Sequence, residues 1–150
     1  MMNIYDCFQY FDEDLLLDIR LNILDQYVTK FVITEATYTH NGSKKKLNFD
    51  INNFKKFKDK IEYIIVDEQP PDLIKFEKNE TDEKRGEKLI LNGMIRDYFQ
   101  REKLINGLMH ARDHDLILIS DLDEIPNLNN NNLNKVKNKI IIFQQKMFYY

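Results

Sequence analysis

Four short runs rich in apolar and β-branched residues set the architecture of this chain: "NIYDCF" from Asn3, "KFVITEA" from Lys30, "IEYIIVDE" from Ile61 and "DLILIS" from Asp115. Each is too short for a helix and carries almost no internal alternation, which is the pattern of a strand buried on both faces. The stretches between them read as helices. "DEDLLLDIRLNILDQY" places Leu15, Leu16, Ile19, Ile23 and Leu24 at helical spacing, with Asp12 or Asp14 as its cap. "INNFKKFKDK" is a short helix, with Phe54 and Phe57 three apart. The longest helical signal runs from Glu87 to Arg112, and Gly93 and Gly107 weaken it by about 1 kcal/mol each relative to Ala. Asn41-Gly42 marks a turn in the loop "THNGSKKKLNF", and Pro70-Pro71 stops the third strand. "LIKFEKNETDEKRG" and the Asn-rich "NLNNNNLNKVKNK" read as mostly loop, and "KIIIFQQKMFYY" as a last strand or strand pair.

Strand and helix therefore alternate, which predicts an α/β three-layer sandwich around a mainly parallel sheet. The 150 residues make one domain, residues 1–150, able to bury roughly 68–70% of its unfolded surface. With 22 basic against 25 acidic residues, no basic face for nucleic acid is expected. No apolar run approaches the roughly 20 residues of a membrane span, and "MMNIYDCF" is not a signal peptide. The chain thus reads as cytoplasmic, its single cysteine, Cys7, as a buried structural thiol, and the sequons at Asn41 and Asn79 as chance matches. The apolar C-terminal segment is expected to seek a partner, which makes pairing with a second copy through that strand a candidate contact.

The fourth run ends abruptly in charge: "DLILISDLDEIP" puts Asp121, Asp123 and Glu124 just past a strand, then stops at Pro126. If the chain stays extended, Asp121 and Asp123 face one side and Glu124 the other. The carboxyl end of a strand in an open α/β sheet is where ligands bind. Two carboxylates held together repel unless a cation joins them, and oxygen ligands select Mg²⁺, Mn²⁺ or Ca²⁺. Sites of that kind commonly complete their shell with substrate phosphates. The alternative is a solvated junction in which Asp121 caps the next turn. The glycines form neither a phosphate-binding loop nor a dinucleotide fingerprint. His40, His110 and His114 lack metal-ligand spacing and read as surface residues; "KKK" at 44–46 reads as a solvated loop, with phosphate contact the alternative. Asp121-x-Asp123 is no calcium loop, since Pro126 stands where its glycine belongs.

Three blocks together, "IYDCFQYFDEDLLLDIRLNILDQYVTKFVITEATYTHNGSKKKLNF", "QREKLINGL" and "ISDLDEIP", with a weaker echo in "FQQKMFYY", resemble glycosyltransferase family seventeen. These are the β-1,4-mannosyl-glycoprotein β-1,4-N-acetylglucosaminyltransferases. The resemblance implies a GT-A-like, Rossmann-like fold, a UDP-GlcNAc donor, a glycan acceptor and Mn²⁺ or Mg²⁺ as cofactor. "DLD" becomes the DxD motif, with Asp123 on the metal and Asp121 on the metal or the donor ribose. Glu35, at the end of the second strand, and Arg101, in "FQRE", become further donor-binding candidates, Arg101 through the diphosphate; the alternatives are an exposed strand-end acid for Glu35 and a structural pairing with a helix acid for Arg101. Arg20 is read as half of a fold-holding ion pair, and Glu124 as either a support to the metal or an outward strand residue. Glu102 departs from the family's Asn. The acceptor half that follows the motif strand in GT-A enzymes is nearly missing, so the fold is expected to be truncated there and no catalytic base is named. Two other functions remain open: a nucleotide-sugar-binding or assembly module without transfer, and a haloacid-dehalogenase-like phosphatase, whose Asp-x-Asp normally ends the first strand rather than the fourth.

Overall fold

The computed structural model describes residues 2–129, 133 and 139–146. The four apolar runs become β1 (Ile4–Gln9), β2 (Lys30–Ala36), β3 (Ile61–Val66) and β4 (Leu116–Ile119). They form one sheet in the order β3-β2-β1-β4, with every neighbouring pair parallel. The register pairs Cys7 with Val32 on one side and with Ile119 on the other. The expected three-layer α/β architecture is present, Rossmann-like in its all-parallel sheet.

Strand alternation divides the core in two. Ile4 and Phe8 of β1, Phe31 and Ile33 of β2 and Leu118 of β4 face α1 (Asp14–Leu24) and the 3-10 helix Ile51–Phe57. Tyr5, Cys7 and Val32 face the opposite way, against Leu104 in the 3-10 helix Lys103–Leu108 that continues α2 (Asp82–Glu102). Cys7 is fully buried, and burial, helped by the charge of Asp6 and opposed by that of Arg20, pushes its thiol up to about 12. Such a thiol is not a nucleophile at neutral pH.

Several local expectations are corrected. On α1 the buried face is Leu17, Arg20, Leu21 and Leu24, while Leu15, Ile19 and Ile23 are exposed. Both sets repeat at helical spacing, so periodicity alone does not choose between them; the buried set is the one that carries Arg20 to its partner, Asp6. Neither Asp12 nor Asp14 caps this helix. Glu13 occupies the cap position, and its carboxylate accepts instead from the amides of Phe11 and Asp12. The second helix begins at Asp82, earlier than expected, with the Thr81 hydroxyl accepting from the Lys84 amide, and it gives way to the 3-10 helix at Lys103. Residues 140–146 form no strand, and residues 147–150 of the predicted C-terminal strand lie outside the described residues, as does most of the Asn-rich stretch.

Candidate functional site

Strand order reverses between β1 and β4. The chain builds outward from β1 through β2 to β3, then returns to place β4 on the other side of β1. Loops leaving the carboxyl ends of these two strands therefore diverge and leave a crevice between them. Here the crevice has a volume of about 650 Å³, within the range of ordinary small-molecule sites. Gln9, Tyr10 and Phe11 come from the end of β1, and Asp121, Leu122 and Asp123 from the end of β4. Thr39, His40 and Asn41 close one wall and Asp97 and Gln100 of α2 another.

The walls are tied to the sheet by side-chain amides. Gln9 Nε2 donates to the Asp97 carbonyl at 3.0 Å and to its carboxylate at 3.2 Å. Gln100 Nε2 donates to the Thr34 carbonyl at 3.0 Å. The 39–43 turn is formed by Gly42, whose φ of +87° is the left-handed conformation that an Asn-Gly pair favours. Arg96 then fixes this turn to α2, donating to the His40 carbonyl at 3.0 Å.

The Asp-Leu-Asp-Glu segment is not extended. It folds into a tight turn in which the Glu124 amide donates to the Asp121 carbonyl at 3.1 Å and the Ile125 amide to the Asp123 carbonyl at 3.1 Å. The strand alternation expected to align Asp121 with Asp123 thus does not apply, although both still border the crevice. Asp123 also borders a second hollow, of about 600 Å³, between the β4 edge and residues 141–146. Glu124 is neither an outward strand residue nor beside the crevice: its carboxylate accepts from the Asp121 amide at 3.2 Å and closes the turn.

Arg101 is brought to this turn. Its Nη2 donates to Asp121 Oδ1 at 2.7 Å and lies 3.7 Å from Asp97. Burial opposes its charge, but the Asp121 hydrogen bond and the charges of Asp121, Asp97 and Glu124 outweigh that and raise its pKa. Its Nε is buried and has no hydrogen-bond partner among the described residues. Arg20 forms the buried ion pair, at 2.8 Å to Asp6 with both side chains fully inaccessible.

Glu35 is placed elsewhere. It is fully buried and points to the α1 side of the sheet, away from the crevice. Its carboxylate accepts from the Asn48 amide at 2.8 Å, the Phe49 amide at 3.1 Å, the Tyr63 hydroxyl at 2.7 Å and Lys45 Nζ. With both oxygens engaged, Glu35 anchors the loop after β2 and has no free face for a ligand. Lys45, the middle of the basic triplet, is spent on the same anchor. Burial and the Glu35 hydrogen bond together push the Tyr63 hydroxyl well above its ordinary pKa.

The donor set was tested against a hard divalent cation. Among the described residues no three acidic, histidine or cysteine side chains converge on one point. The Asp123 carboxylate is exposed and, among the described residues, has no hydrogen bond or ion pair, whereas Asp121 shares its carboxylate with Arg101. One free carboxylate and one shared one fit a magnesium-type ion that takes the rest of its shell from phosphate and water. Sequence reasoning missed Gln9, His40, Asn41, Asp97 and Gln100. A signal for one of them was present: Asp97 stands four residues before Arg101, on the same helix face.

The profile described as Glycosyltransferase family 17 matches residues 1–150, the whole chain. The chain belongs to glycosyltransferase family 17. No curated protein and no solved structure matches it. Membership makes it a glycosyltransferase by family, and the phosphatase reading falls away. Among the described residues, no helix is long and apolar enough to cross a membrane.

Proposed function

We propose that this glycosyltransferase binds UDP-GlcNAc in the crevice between the carboxyl ends of β1 and β4, with Mn²⁺ or Mg²⁺, and transfers GlcNAc with inversion to a glycan hydroxyl. The observation that carries the reading is the position of the Asp121–Glu124 turn at the point where strand order reverses. The crevice is acidic, with Glu13, Asp97, Asp121 and Asp123 on its walls. A diphosphate would be repelled from such a surface unless a cation came with it. Asp123 and Asp121 would hold that cation. When bound, it would neutralise the diphosphate and stabilise the charge of the departing UDP.

The chain's own residues supply orientation. Arg101, whose partly exposed guanidinium pairs with Asp121 of the crevice wall, would meet a diphosphate oxygen. Gln9 and Gln100 hold the crevice walls in register, so the donor meets a preformed surface. Transfer breaks the bond from the anomeric carbon to UDP and forms one to the acceptor oxygen, whose proton passes to a base on the acceptor side.

Calorimetric titration of UDP-GlcNAc tests the reading, with Mn²⁺ or with chelator, for the wild type and Asp123→Asn. Binding that requires both the metal and Asp123 is expected. Equal binding by Asp123→Asn, or binding indifferent to chelator, would remove the metal and the aspartate from the account. Donor binding without transfer to any glycan would favour the binding-module alternative.

A further inference from the structure

We infer that Arg20 is the positioning residue of the donor site, setting the conformation of the Asp121–Glu124 turn from beneath. The inference rests on the donor-site reading above. A guanidinium has five N–H bonds in a rigid plane. Nε and Nη2 of Arg20 form a fork on Asp6, at 2.9 Å and 2.8 Å. The remaining Nη2 hydrogen goes to the Ser120 hydroxyl at 2.7 Å. Nη1 donates to the carbonyls of Asp121 at 2.7 Å and Leu122 at 3.0 Å, with the Glu124 carbonyl also within reach at 3.3 Å. Every donor is therefore used, and all acceptors beyond Asp6 belong to the motif segment.

A fold-holding ion pair alone would need only the Asp6 fork. The other contacts have a specific consequence. Three carbonyls of one turn are drawn inward to a single buried point, while the Asp121 and Asp123 carboxylates remain exposed on the crevice side. Ser120 extends the grip, because its hydroxyl accepts from Arg20 and donates to the Glu124 carbonyl at 3.1 Å. Phe8 covers the guanidinium, 4.6 Å from its ring centre, which keeps water from competing for these bonds. Asp6 neutralises the charge, so Arg20 is a fixed donor array rather than a cation available to a ligand. Lysine cannot replace it, since an ammonium has three donors and no planar fork.

The test compares Arg20→Lys and Ser120→Ala with Asp115→Asn. The control removes a buried carboxylate at the opposite end of β4, which is itself hydrogen-bonded to Asn3 and Arg112. Hydrogen exchange at the amides of residues 121–125 is read alongside UDP-GlcNAc affinity in Mn²⁺. Arg20→Lys is expected to speed exchange there and to weaken donor binding by roughly tenfold or more, the scale of residues that orient metal-binding groups. Asp115→Asn is expected to lower the melting temperature while changing affinity less than about twofold, because it lies outside the crevice. Equal affinity losses in Arg20→Lys and Asp115→Asn would reduce Arg20 to a stability residue and overturn the inference. So would unchanged affinity in a folded Arg20→Lys. Should Arg20→Lys not fold, Ser120→Ala decides by the same two readouts. If the wild-type protein binds no UDP-GlcNAc, the donor reading fails, and the exchange data alone then sustain or overturn control of the turn by Arg20.

Discussion

Arg101 and Asp121 meet at 2.7 Å with side chains about a third and over half exposed, at 34% and 57%. A pair so open to solvent contributes little to folding, on the order of 0–1 kcal/mol. Under the proposed function its value lies in holding a guanidinium against Asp121, which borders the crevice. Arg101→Gln should therefore leave the urea midpoint nearly unchanged but weaken UDP-GlcNAc binding about tenfold or more, the loss of a hydrogen bond to a charged group. A large stability loss with unchanged affinity would assign Arg101 to the fold instead. Glu35 shows why a strand-end acid misleads a reader of sequence. Its position after the apolar run Phe31–Ile33 of β2 looks like that of Asp121 after β4, yet alternation turns it to the α1 side. The groups that claim it, the amides of Asn48 and Phe49 and the Tyr63 hydroxyl, are more than ten residues away in sequence and invisible to a local pattern.

At the scale of elements, Gly107 corrects the propensity argument most clearly. It reads as a weak point in a long helix, but the segment is a 3-10 helix pressed onto the sheet. A Cβ there would sit 2.4 Å from Val32 Cγ1 and 3.1 Å from Ile64 Cδ1. Valine is stiff at χ1 and cannot swing aside. Gly107→Ala should therefore destabilise by about 1–3 kcal/mol, despite alanine's better helix propensity, as measured by urea unfolding. A gain in stability would contradict this steric account. The start of β4 adds a pH dependence. Hydrogen bonding from Arg112 leads the causes that hold the Asp115 carboxyl far below its ordinary value of 3.8, burial opposing and amide bonds from Asn3 and Arg112 adding. A depressed carboxylate stabilises the fold above its unfolded pKa and loses that contribution as pH falls. Asp115→Asn should lower the urea midpoint clearly at about pH 7, and the gap should close towards about pH 2. A gap independent of pH would show that the charge does not matter. The strands were legible because buried parallel strands leave unbroken apolar runs. The face of α1 was not, since two equally spaced stripes compete and only the Arg20–Asp6 contact selects one.

For the whole molecule, topology does what no motif does alone. An Asp-Leu-Asp tripeptide is common; here one is placed where β4 returns beside β1, in a crevice walled by α2 and the 39–43 turn, and that placement is what the proposed function rests on. The parallel sheet and the placing of Asp121 and Asp123 just past its fourth strand were readable from sequence, whereas the turn itself and the walls from Gln9, Asn41 and Asp97 needed the assembled chain. Donor binding should stabilise the whole fold. At free UDP-GlcNAc about 100 times its Kd, linkage gives about 2.7 kcal/mol, or a rise of roughly 5–10 °C in Tm for a chain of this size. No rise at saturating donor and Mn²⁺ would count against binding to the native state. The most direct measurement is nuclear magnetic resonance of the labelled protein with UDP-GlcNAc and substoichiometric Mn²⁺, whose unpaired electrons broaden nearby amides. The account predicts broadening at Gln9–Phe11, Thr39–Asn41 and Leu122–Asp123, and none at the Asn3–Asp115 end of the same strands. Broadening at that opposite end, or none anywhere, would contradict a donor site between β1 and β4.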